Sequence, residues 1–121
     1  MKTKSKLDKA ILNAWKFYSK WRETGSYSPA LKEQIKITRF GWNHLLDPRK
    51  RRTRIQKIKR LKALPLARKL IENATTFQEH RRNKNIEYFA FVAEMEGNRI
   101  KVVISQKNKT DKIFLSVIVL K

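Results

Sequence analysis

The sequence predicts an α+β protein: an N-terminal helix, a short strand, two helical segments, then a three-stranded antiparallel meander forming a small twisted sheet. Three observations carry this reading. Residues 5–24 place apolar side chains at helical spacing, and residues 49–62 hold nine Lys or Arg around three regularly spaced apolar residues. From residue 87 onward the pattern changes to the two-residue period of strands. Such an order stacks helices against one face of an antiparallel sheet.

In the first segment Leu7, Ile11, Ala14, Tyr18 and Trp21 form one stripe, widened by Ala10 and Phe17, while Lys6, Lys9, Lys16 and Lys20 stay wet. Ser5 with Asp8 resembles a capping box, and Gly25 stands where a C-terminal cap belongs. The stripe packs on the rest of the domain or forms a dimer seam. SYSPALKEQ, residues 26–34, reads as a connector broken by Pro29, and QIKIT alternates Ile35 and Ile37 as a short strand. Thr38 then caps a turn of helix through RFGWNHLL.

A helix over about 54–63 can start in either of two ways: Asp47-Pro48 as N-cap and first residue, or Thr53 with Gln56 as a capping box. Ile55, Ile58 and Leu61 give this basic run a buried side, which a free tail would not need. Pro65 opens a second helical piece, PLARKLIENA. EYFAFVAE fits a strand covered on both faces, Glu96-Gly97-Asn98 a turn, RIKVVIS an alternating strand, and KIFLSVIVL the last strand. The segment FQEHRRNKN reads as a loop.

The 121 residues fit a single domain, 1–121, and 40% hydrophobic content is enough for a core. A formal net charge of +20 works against compactness through self-repulsion and calls for a polyanionic partner. With no Cys, disulfides and thiolate metal sites are excluded. The amino terminus lacks an unbroken apolar core of a leader, and no window approaches the roughly 18 apolar residues of a membrane span. A soluble, cytoplasmic protein is the expectation. Membrane-surface binding is disfavoured because the basic helix lacks Trp or Phe on its apolar side.

No metal-ligand spacing, glycine-rich phosphate loop or nucleophile elbow is present, so neither a metal nor a cofactor is expected. Metal-free chemistry on RNA requires only a base, an acid and cations near the phosphorane. His44, in GWNHLLDP just before the basic run, is the leading acid or base; otherwise it packs on Trp42 or bonds backbone. His80 reads as a solvated loop residue. Ser116 is the one polar residue in an apolar strand whose alternation puts Phe114, Ser116, Ile118 and Leu120 on one face. Its hydroxyl needs a partner if buried, within the sheet or at a site. Lys101, the single charge among residues 100–104, is either a candidate cation on the face of Ser116 or a guard of the sheet edge. Arg49, Lys50, Arg51, Arg52, Arg54, Lys57, Arg81 and Arg82 are the candidate nucleic-acid contacts.

A strand, two helices and a meander in a small, very basic chain resemble the barnase–EndoU–colicin–RelE-like ribonuclease superfamily, in its phage and polymorphic-toxin branch. The resemblance covers residues 34–121, leaving residues 1–25 as a helical extension. It rests on a short strand leading to a helix with a His, IKITRFGWNH, and on a last strand with a Ser, KIFLSVIV. It implies a metal-independent endoribonuclease using general acid/base catalysis, often a toxin neutralised by an acidic antitoxin or immunity protein. His44 and Ser116 are the positions it carries over, with Lys101 or an Arg as the transition-state cation. The alternatives are a non-enzymatic module binding RNA or DNA backbones and a ribosome-associated or assembly protein, for which composition alone would suffice. No signature for sequence-specific reading is present.

Overall fold

The structure, a computed structural model, describes residues 5–120. Helix α1 (Lys6–Thr24) starts where Ser5 Oγ accepts from the Asp8 amide and stops where the Gly25 amide bonds Trp21 O. Its stripe faces inward: Tyr18 and Trp21 are fully buried, Ala10 and Ala14 nearly so, and Leu7 and Ile11 pack at the margin. The buried indole N–H does not go unpaired, because Trp21 Nε1 donates to Ser26 Oγ at 2.8 Å and Ser26 Oγ donates on to Glu72 Oε2 at 2.6 Å.

The expected connector contains a strand of its own. Strands β1 (Ser26–Ser28) and β2 (Glu33–Ile35) form a separate two-stranded antiparallel sheet. The strand expected over QIKIT thus ends at Ile35. Lys36 follows with a single parallel bridge to Ile113, its amide donating to Lys112 O at 2.9 Å and its carbonyl accepting from Phe114 N at 3.0 Å.

Three helices come next. Thr38 caps α2 (Arg39–Leu45), and α3 (Arg54–Lys62) begins with the full Thr53–Gln56 capping box. Asp47 starts no helix; its carboxylate accepts from the Arg49 amide and guanidinium instead. Pro65 lies in the first turn of α4 (Leu64–Asn73), where its missing N–H costs nothing. The apolar side of α3 is narrower than the spacing implied, since Ile55 is 66% exposed and Leu61 only 3%. Residues three apart drift about 60° backwards around a helix, so Ile55 and Leu61 point roughly 120° apart.

The main sheet has four antiparallel strands, not three: β3 (Glu79–Asn83), β4 (Ile86–Met95), β5 (Asn98–Lys107) and β6 (Ile113–Val119), in that order. The added strand is β3, in the segment read as a loop. All five of its residues are exposed, so no apolar period marks it in the sequence. Pairing to β4 defines it, across a tight turn in which Lys84 takes a φ of 58°. The next hairpin turns through Glu96 and Gly97, with φ values of 48° and 79°, as a two-residue turn with both central residues left-handed requires.

Phe89, Phe91, Ile100, Val102, Ile104, Phe114 and Val117 line the inner face of the sheet beneath the helices. On β4 Phe89 and Phe91 are buried on the inner face and Ala90 on the opposite one, where it is flanked by half-buried Tyr88 and Val92, so both faces are covered in part. In β6 the simple alternation fails. The register slips between Val103 and Ile104, which pair with Ser116 and Phe114 and leave Leu115 unpaired. Phe114 and Val117, three apart, therefore share the buried face. Among the described residues no helix is long and apolar enough to cross a membrane.

Candidate active site

The bulge in β6 lies where α2 and α3 meet the sheet. Leu61 anchors α3 in the core, and the adjacent Arg60 is carried down against β6. Its Nη2 donates to Ser116 Oγ, while its Nε is buried with no hydrogen-bond partner. Buried guanidinium groups are ordinarily matched by carboxylates, because taking the charge out of water is costly. None of the ion pairs among the described residues involves Arg60 or Arg52. Burial, and secondarily the charge of Arg52, bring the Arg60 pKa down to about 10, so it still carries its proton at neutral pH.

Arg52 belongs to the same cluster. Its Nη1 donates to Leu45 O at 3.1 Å, tying the segment between α2 and α3 to the last turn of α2. Burial lowers its pKa as well, against a small opposing pull from Asp47. Arg52, Gln56, Lys59 and Arg60 form the polar side of a cavity of about 370 Å³, closed by Ile118, Val119 and Leu120. A pocket with three cations on one wall and no acid in its lining suits an anion that brings several acceptor oxygens, as a phosphate does.

His44 sits in the last turn of α2 and is partly buried. Its pKa is lowered first by desolvation and then by Lys50, Arg52 and Arg60, with Asp47 acting weakly the other way. Near pH 7 the imidazole is therefore predominantly neutral and able to accept a proton. The charges that depress it include the two guanidiniums of the anion pocket, and one of those holds Ser116. The geometric link between His44 and the β6 bulge is Leu115, the neighbour of Ser116, which lines one hollow together with His44.

The register puts Lys101 on the same sheet face as Ser116, since Lys101 pairs with Ile118 and the next residue of that face, Val103, pairs with Ser116, but its charge is turned toward β3. Its Nζ lies 2.9 Å from Glu79 Oε1, in a small hollow shared with Arg81, Tyr88 and Ile118. Arg49 is held by Asp47, with Nη2 at 3.1 Å from Oδ2, whereas Lys50, Arg51 and Arg54 are exposed and Lys57 is half-buried. Arg81 and Arg82 sit on β3, at the other edge of the sheet from β6. Arg81 lies over the Tyr88 ring at 4.6 Å, and Arg82 Nε donates to Lys84 O at 3.3 Å. His80 is on a strand, not in a loop, stacked on Phe89 at 4.7 Å with Nε2 at 2.9 Å from Glu87 Oε2.

Arg60 and Lys59 are absent from the residues that the sequence singles out, and Gln56 appears there only as the capping partner of Thr53. One signal for Arg60 does exist. Ser116 requires a partner, and within the basic run Arg60 is the cation directly preceding the apolar residue that buries best. The contact spans 56 residues, so only the fold makes it visible. Among the described residues, no three His, Asp or Glu side chains group as metal ligands would. Compared with known protein families, curated proteins and solved structures, the chain matches none.

Proposed function

We propose that the chain is a metal-independent endoribonuclease that uses His44 for proton transfer and Arg60 with Arg52 to stabilise charge on phosphorus. One observation supports this reading above the others. Arg52 and Arg60, two partly buried guanidiniums that form no ion pair among the described residues, lower the pKa of His44 and line a cavity free of acidic side chains.

His44 takes the proton of a ribose 2′-OH, whose oxygen attacks the adjacent phosphorus. The P–O5′ bond breaks, leaving a 2′,3′-cyclic phosphate, and the proton passes to the departing 5′-oxygen. Negative charge on the phosphorane oxygens is met by donors already desolvated, so little reorganisation is needed at the reacting moment. Ser116 acts as a positioning residue, holding the Arg60 fork, and Arg60 takes the cation role that Lys101 would have filled.

The test is incubation of labelled single-stranded RNA in EDTA with the natural protein and with His44→Ala. Loss of one well-placed proton-transfer group should lower the rate by ~10² to 10⁴ while leaving binding nearly unchanged. Substrate with 2′-deoxyribose at the cut position should resist. Cleavage of all-deoxy strands, or full activity in His44→Ala, would overturn the mechanism. Binding without any cleavage would leave the non-enzymatic nucleic-acid-binding reading.

A further inference from the structure

We propose that a second hollow, lined in part by His44 and separate from the anion pocket, receives one base of a single-stranded RNA. The inference takes the position of the ribose from the role given to His44 and adds what is gripped beside it. Phe40 and His44 stand four residues apart on α2, so they are neighbours on one helix face. Phe40 is 63% exposed, an unusual placement for a large aromatic in so charged a surface. Both residues line a hollow of about 330 Å³, together with Tyr88, Ser105, Ile113 and Leu115. This volume falls within the roughly 300–1,000 Å³ typical of small-ligand pockets.

The lining has the two properties that a base needs. Phe40 supplies an exposed aromatic face for stacking, over apolar ground from Ile113 and Leu115. Ser105 supplies a polar group: it is only 6% exposed, and no hydrogen bond among the described residues engages its hydroxyl. A hydroxyl can donate and accept, matching the mixed edge of a base. The rim carries Lys107, and Asp111 there is already paired with Lys36 at 2.8 Å, so the rim does not repel a phosphodiester. A base inside a duplex could not reach this hollow, which makes an unpaired strand the fitting partner.

The experiment uses 2′-fluoro RNA, which lacks the attacking hydroxyl and so cannot be cut, with a fluorescent purine analogue at successive positions. Binding to the full chain should quench the analogue at one position, and an abasic sugar there should weaken binding by roughly 5- to 150-fold. Phe40→Ala should remove both effects, and Phe40→Tyr should restore them. Ser105→Ala should keep the quenching but level the preference among the four bases. Quenching at no position, or quenching unchanged in Phe40→Ala, would overturn the base site even if natural RNA is cleaved. Quenching that depends on Phe40 in a protein that cuts no RNA would uphold the base site and overturn the nuclease.

Discussion

Arg60 on α3 donates to Ser116 on β6, and that one hydrogen bond fixes a half-buried guanidinium whose buried Nε remains unpaired. A charge held this way lowers stability, because desolvation is not offset by a carboxylate among the described residues. Replacing Arg60 alone strands the Ser116 hydroxyl, which costs about 1–3 kcal/mol. The double variant Arg60→Met/Ser116→Ala leaves neither group behind. It should melt at or above the natural protein, and above Arg60→Met alone. RNA binding should fall by about tenfold or more in both variants, as expected for a lost hydrogen bond to charge. Thermal melts and filter binding check this. A double variant that melts well below the natural protein and binds RNA normally would make Arg60 merely structural.

His44 sets a pH dependence whose direction follows from its environment. Burial and the neighbouring cations hold its folded pKa below the usual 6.5, so the basic form dominates above that lowered value. Activity should rise with pH through a midpoint below 6.5 and be level near pH 7. Lys50→Gln, which removes an exposed contributor to the repulsion, should move the midpoint upward. The unfolded chain binds the proton more readily, so stability should decline as pH falls below 6.5 through the folded pKa. His44→Ala should lose less over that window. Paired rate and melting profiles test both; a midpoint above 6.5 would contradict the assigned environment.

The elements legible in the sequence were those with their own apolar period. Helix α1 shows its stripe and both ends, and the turn at Glu96-Gly97 needs nothing beyond its own residues. Strand β3 has no buried residue and exists only through its partner β4, so local pattern cannot reveal it. The slip at Leu115 is equally silent: KIFLSVIVL alternates well enough by eye, while pairing with β5 puts Phe114 and Val117 on one face. The site divides along the same line. His44 and Ser116 stand out as polar intrusions in apolar surroundings, whereas Arg60 is one cation among nine in residues 49–62 until the fold presses it against β6.

The exposed part of the basic run should carry the salt dependence of binding. Lys50, Arg51 and Arg54 are exposed and form no ion pair among the described residues. Changing these three to Gln should flatten the log–log salt slope on single-stranded RNA by about 2, at roughly 0.7 per phosphate contact. Arg49→Gln should change it little, since its guanidinium is occupied by Asp47. Melting temperature should stay within the small range of surface substitutions. An unchanged slope in the triple variant would move the backbone-binding surface elsewhere.

Gly41 gives the most direct test of whether the docking of α2 positions the chemistry. A Cβ there would sit 2.4 Å from Phe114 O and 2.8 Å from Tyr18 Oη. Neither neighbour can yield easily, because Phe114 O is backbone of the sheet and Tyr18 donates to Thr38 O at 2.5 Å from a fully buried position. Gly41→Ala must therefore lift α2 from the β6 edge, at a cost of about 1–3 kcal/mol for overpacking. Gly97→Ala is the matched control: nothing lies within 4 Å of its added Cβ, and its φ of 79° costs an L-residue ~1–2 kcal/mol. Both variants should melt several degrees lower. Only Gly41→Ala should also lose RNA cleavage when assayed well below its melting temperature, because His44 rides on α2 while Arg60 and Ser116 stay with α3 and β6. Equal loss of activity in the two variants would reduce the effect to general instability, and full activity in Gly41→Ala would show that the position of α2 does not govern the reaction.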